Sequence, residues 1–410
     1  MYSIRQEEFA DLAEQNINAT SEISDFNLSR DIQVLKLQKN NITTIGDTIT
    51  KFRSLKFLNI SSNKISKIQN VSTFSNLVLL DLSRNKITKL ENLENNVKLK
   101  RLLVSRNLIQ GINLKTPLKS LVLLDIHKNP IKQVNFGKVF PNLIQLYIDE
   151  CLLKSLKGIN TFANLKHFKC RKNAIDDSSS VVLSHTSIED ISDNKMKTLV
   201  PFLNLTTLTI LNIKGNPLTD ESFQIPKSLQ DQKFLAKIPH LKTLIISNTE
   251  IRSVSLIFEL FPNIENVDIS YSQVSNLDDV TQFVKLAKHL KYLDLLGNPL
   301  TKDLYPDDFI KKKDGYDSIS KFDLQYPKNA EKRIIYRQEI LQCTDGNLET
   351  LDRIKTAEEY KISPKCSSLA SSSQEFDETI NNNSNNNNAS KHDRPNKVKN
   401  KTANDDDYEY

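Results

Sequence analysis

The chain has 410 residues, and its 56 basic and 50 acidic side chains leave a net charge of +6, a mild, dispersed excess that does not by itself point to nucleic acid or a membrane. Eight glycines argue against a phosphate-cradling loop, and no G-x-x-x-x-G-K-[ST], G-x-S-x-G or H-E-x-x-H sequence occurs. The six histidines and the four cysteines (Cys151, Cys170, Cys343 and Cys366) show no metal-ligand spacing, so the expectation is no enzyme, no cofactor, no metal, and free thiols in a reducing compartment.

The first residues, MYSIRQEEFADLAEQ, carry acids where a secretory signal needs an unbroken apolar core, and no stretch approaches 18 consecutive apolar residues. A soluble protein of the cytoplasm, present also in the nucleus, is expected. Within residues 1–30, Ile4, Phe9, Leu12 and Ala13 have helical spacing and predict a helical N-terminal cap.

From Leu55 the chain reads LKFLNISSNKISKIQNVSTFSN, then LVLLDLSRNKITKLENLENNVK, LKRLLVSRNLIQGINLKTPLKS and LVLLDIHKNPIKQVNFGKVFPN. The rule is L-x-x-L-x-L-x-x-N-x-I-x-x-I, renewed every 22 residues. Its Asn position falls on Asn40, Asn63, Asn85, Asn107, Asn129, Cys151, Asn173, Asn194, Asn216, Thr249, Ser272 and Asn298, twelve matches in register. Such a period predicts a leucine-rich-repeat α/β solenoid. It is expected to be a right-handed horseshoe of about twelve units, with short parallel strands on the concave face and 3-10 or irregular turns on the convex face. The repeats span 31–301, with an insertion near 219–239. The Asn column should bond the backbone of the turn leaving each strand. A second column, Phe52, Phe74, Leu118, Phe140 and Phe162, reads as a buried spine.

Residues 302–362 hold a polar insertion (302–333) and then YRQEILQCTDGNLETLDRIKTAEEY, a helix, a turn and a last strand that read as a C-terminal cap. After it, 363–410 turns to NNNSNNNNAS and a charged end, a composition that predicts disorder. Asn298, Pro299, Leu300, Tyr336, Arg337, Leu348, Leu351 and Asp352 match the N-P-L, Y-R and L-x-x-L-D elements that cap the intracellular 22-residue leucine-rich-repeat family. The chain resembles that family over roughly Asp31 to Tyr360, and within it looks like the regulatory subunits of protein phosphatase 1 and, less closely, the spliceosomal A-prime protein. The resemblance implies a non-catalytic adaptor with a folded protein partner, among which a phosphatase catalytic subunit stands first. Three departures mark this chain: the unit ending at Asn194 lacks its first Leu, and the insertions at 219–239 and 302–333 lengthen two others.

Side chains between the core positions of each strand should point onto the concave face. There the candidate protein-binding residues are Phe57, Asp81, Leu103, Asp125, Tyr147, Lys169, Asp190, Asp268, Tyr292 and Asp294, carboxylates mixed with apolar and aromatic groups that suit protein recognition. Lys39, Arg84, Arg106, Lys128 and Lys172, each just before the Asn position, suggest a basic ridge. Nucleic-acid binding through that ridge is one alternative, although aromatics for base stacking are missing there. A structural role in a ribonucleoprotein or ciliary assembly is the other. KQVNF, Lys132 to Phe136, fits a phosphatase-docking pattern, but Val134 lies on an inward repeat position and the match is read as chance. The expectation is a monomer that binds protein and not membrane.

Overall fold

A computed structural model describes residues 8–112, 114–176, 188–203, 205, 207–224, 238–311 and 315–359. The tail at 363–410, Ile4 and most of the 219–239 insertion lie outside them. Among the described residues a single sheet of 15 strands runs strictly in chain order, and every neighbouring pair is parallel except the last. A strand three residues long stands at each of the twelve repeat matches, from Val34–Lys36 to Tyr292–Asp294.

Only x-L-x of each unit is extended, because its middle side chain must enter the core while its neighbours face away. Leu35, Leu58, Leu80, Leu102, Leu124, Leu146 and Phe168 are these middle residues, and all are fully buried. The chain then leaves the sheet through one residue in the left-handed region. That residue is Lys39, Ser62, Arg84, Arg106, Lys128, Glu150, Lys172, Asp193, Gly215, Asn248, Tyr271 or Gly297, with φ between 50° and 74°. Only two are glycine, so most units bear the cost of a side chain in this conformation, of order 1–3 kcal/mol each.

The ladder residue that follows offsets the cost. Asn63 donates from Nδ2 to the carbonyls of Leu37 (2.9 Å) and Ile60 (3.1 Å), and its Oδ1 accepts from the Ile42 amide (2.9 Å). The same set recurs at Asn85, Asn107, Asn129, Asn173, Asn194 and Asn216. Where Asn is replaced the set shrinks. Cys151 makes a long contact from Sγ to the Ile126 carbonyl, 3.6 Å, and the Ile131 amide, left without an Asn acceptor, bonds the Asn129 carbonyl at 2.8 Å. Leu218 behaves identically one unit before Thr249, its amide bonding Asn216 O at 2.8 Å.

On the far side, 3-10 turns such as Val71–Thr73 and Gly137–Val139 carry the chain back, with Phe52, Phe74, Leu118, Phe140 and Phe162 buried beneath them. Asn96 occupies that column between Phe74 and Leu118, buried, with Nδ2 bonded to the Val71 and Phe74 carbonyls at 2.9 and 3.0 Å.

The two ends differ from expectation. Phe9–Asp11 is a strand paired with Val34–Lys36, and Thr20–Phe26 is a 3-10 helix, so the described N-terminal residues form a short repeat-like unit instead of a helical cap. Ala10 and Leu12 alternate inward and Phe9 outward, a period of two that the longer helical spacing disguises. At the other end, the predicted polar insertion has its own core. Tyr305, Phe309 and Phe322 are buried within a set of mutually packed rings that includes Tyr316 and Tyr326. Helix Ala330–Leu341 then leads to Thr350–Leu351, which pairs with Tyr292–Asp294 and closes the sheet with the antiparallel Ile354–Lys355.

Candidate interaction face on the sheet

The parallel register decides which side chains share a surface. Asp81, Leu103, Asp125, Tyr147, Lys169 and Asp190 lie opposite one another on six successive strands, in one unbroken row with neighbours roughly 4.8 Å apart. Asp268 and Asp294 form a separate pair in that row nearer the C-terminus, with Tyr292 beside them in the adjoining row. Phe57 lies in the adjoining row near the N-terminal end, opposite Val34 and Leu79. The ten expected residues therefore fall into a central row, a C-terminal trio and one isolated ring.

Three of them are not available as surface groups. Leu103 is 8% exposed, Asp125 2% and Asp294 1%. The acidic column also has a second use: a carboxylate or amide there accepts the amide two residues on, where ladder pairing gives way to the turn. Ser83 donates to Asp81 at 2.9 Å, His127 to Asp125 at 3.2 Å, Ser192 to Asp190 at 3.0 Å and Ser270 to Asp268 at 3.0 Å. Asn59 takes the Ser61 amide in the same way, at 3.0 Å. Asp294 is further held by Arg353 (2.6 Å), and burial pushes its carboxyl up to about 7 against the opposing pull of that guanidinium. It belongs to the closing elements.

The pattern makes its exceptions conspicuous. The residue two beyond the acidic position is Ser61, Ser83, Ser105, Ser192, Ser247 and Ser270 in six units, Gln38, Lys214 and Leu296 in three scattered ones, and His127, Asp149 and Arg171 in three consecutive ones. Backbone bonds from Arg106 N to His127 O, Lys128 N to Asp149 O and Glu150 N to Arg171 O, 2.8 to 2.9 Å, place the three side by side. His127 Nδ1 lies 2.6 Å from Asp125 Oδ1. The Arg171 amide donates to Asp149 at 2.7 Å and its Nε lies 3.6 Å from the same carboxylate. Lys169 Nζ sits 5.5 Å from the centre of the Tyr147 ring. Burial raises the Asp149 carboxyl to about 6, Arg171 and His127 opposing the shift and Asp190 adding to it. The sequence points to His127, Asp149 and Arg171 less directly because they lie two residues past the strand columns from which the candidates were drawn; the interrupted run of serines was the available signal.

The discounted KQVNF segment is held in the stack, with Val134 buried. In the basic ridge Lys39 pairs with Glu14 at 2.9 Å and Lys128 with Glu150 at 3.4 Å. Among the described residues no helix is long and apolar enough to cross a membrane.

A family model described as a leucine-rich repeat matches residues 204–222. No curated relative matches at the level of sequence. The architecture is similar to a leucine-rich-repeat protein of Leptospira interrogans (22% identity, TM-score 0.53, 68% of this chain and 69% of that one). It is also similar to the functional domain of InlJ from Listeria monocytogenes (21%, 0.51, 75% and 67%) and to TLR13 in its complex with ssRNA13 (22%, 0.51, 76% and 46%). At these identities the likeness bears on fold alone: the chain is a leucine-rich-repeat solenoid.

Proposed function

We propose that the chain is a non-catalytic scaffold that binds a folded protein through the centre of its concave sheet face, around His127, Tyr147, Lys169, Arg171 and Asp190, with Asp149 buried beneath them. The observation that carries this reading is the consecutive run of His127, Asp149 and Arg171 in a column that is serine in six units, with a cation over an aromatic ring beside it. Repetition serves the fold, and a local break with it that leaves His127 and Arg171 half-buried at the surface needs another cause. Aromatic and Arg groups amid paired charges are the composition that anchors protein interfaces.

The partner that the family resemblance supplies is a protein phosphatase 1 catalytic subunit, in the cytoplasm or nucleus, with this chain as a regulatory subunit. The test is co-elution of the full chain with that purified subunit, and affinity purification with mass spectrometry if it does not co-elute. Tyr147→Ala with Lys169→Glu should weaken capture at least tenfold, about 1.4 kcal/mol, without lowering the melting temperature. Undiminished capture by that variant would rule out the central face. Failure to co-elute with the phosphatase, with another partner recovered through the same face, would remove only the named partner.

A further inference from the structure

A second departure from the repeat lies on a different surface. The position directly after the ladder residue is Lys64 and Lys86 in two early units, then Leu108, Pro130 and Leu152 in the next three. Leu108 and Leu152 are 52% and 51% exposed, among the most open large apolar side chains of the described residues. Beside Leu152 runs a groove of about 920 Å³ whose lining includes Lys132, Lys154, Lys157 and Lys172, all exposed, and no acidic residue. A second groove of about 690 Å³ continues it through Lys132, Gln133 and Asn135 towards Lys89, where Glu91 is the one acid in the lining of the two. Unlike Lys39 and Lys128 of the ridge, the four lysines form no ion pair among the described residues.

We propose that this groove is a second docking site, for an acidic peptide segment of a partner protein that also carries aliphatic side chains. Four exposed ammonium groups along an open channel select for carboxylates by charge complementarity. Leu152, exposed in the lining, gives the same segment an apolar contact that a phosphate chain would not use. The groove offers neither arginine forks for phosphate nor an exposed aromatic on which a base could stack, so peptide is favoured over nucleic acid.

The test is fluorescence anisotropy on the full chain with a labelled synthetic peptide rich in Glu and Asp and carrying two Leu. Its amide counterpart, with Gln and Asn for the acids, and a single-stranded oligonucleotide serve as competitors. The acidic peptide should bind and the amide version should not compete. Lys132→Glu with Lys154→Glu should weaken binding by roughly tenfold and Leu152→Ser by about threefold, while Lys169→Glu on the sheet face leaves it unchanged. Thermal melts confirm that each variant is folded. No binding of the peptide, indifference to the Lys132 and Lys154 reversals or to Leu152→Ser, or stronger binding of the oligonucleotide through the same lysines would each overturn the proposal. None of these results bears on the sheet face.

Discussion

The repeated stack and its C-terminal closure solve the same problem with different chemistry. Both must satisfy backbone groups where strand pairing ends. The stack does it with a neutral amide, renewed from Asn40 to Asn216, that bonds its own unit and the one before. The closure does it once, with buried charge. Arg337 donates to the Leu351 carbonyl at 2.7 Å and pairs with Glu359 at 2.8 and 2.6 Å, and Arg333 pairs with Asp323 while bonding the Tyr326 carbonyl at 2.7 Å. Asp352 accepts from the Tyr305 and Tyr336 hydroxyls and the Leu295 amide, at 2.8 to 2.9 Å, and burial still raises its carboxyl. A neutral amide tolerates replacement because each neighbour carries a copy. A buried ion network has no copy, and losing one member strands the others.

That contrast can be broken most forcefully at the closure. Arg337→Ala leaves Glu359 and the Leu351 carbonyl without their partner in a buried site, and should cost about 3–5 kcal/mol, read as a drop in the urea midpoint. A loss no larger than that of a surface substitution would mean the closure is held by packing alone. In the stack, Asn129→Ala removes four bonds, from Nδ2 to Val104, Ile126 and His127 carbonyls and from the Ile109 amide to Oδ1, and should cost roughly 3 kcal/mol.

The face itself offers a pH test. The Asp149 carboxyl is raised to about 6, so the folded chain binds its proton more tightly than the unfolded one, whose carboxyl has the ordinary value of 3.8. Its contribution is fully present below about pH 4 and is lost as pH rises through about 6. Asp149→Asn should remove up to about 3 kcal/mol of that decline, seen as a flatter melting temperature between pH 4 and 7. An unchanged profile would show that Asp149 titrates normally. The smallest effect is a gain: Cys151→Asn restores the missing ladder amide, gives Ile131 N its usual acceptor, and should raise stability by about 1 kcal/mol in chemical denaturation.

Much of the body was legible beforehand because a 22-residue period constrains each unit by its neighbours. The strand at every match, the Asn bonds and the buried Phe column all follow from spacing. The N-terminal unit was not, since a single three-residue strand at Phe9–Asp11 has no repeat before it to arbitrate between periods of two and 3.6. Nor was the core of 302–333, whose rings at Tyr305, Phe309, Tyr316, Phe322 and Tyr326 follow no period and meet only in three dimensions.

The candidate face divides along the same line. That Asp81, Asp125 and Lys169 share one row came from periodicity, because parallel strands of equal spacing cannot place them otherwise. Which of the row meets solvent came from folding: Asp125 turned inward to its own turn and His127, and Asp294 to Arg353, a residue 59 positions away. Spacing dictates direction relative to a sheet, whereas burial and pairing depend on what the rest of the chain brings to the spot.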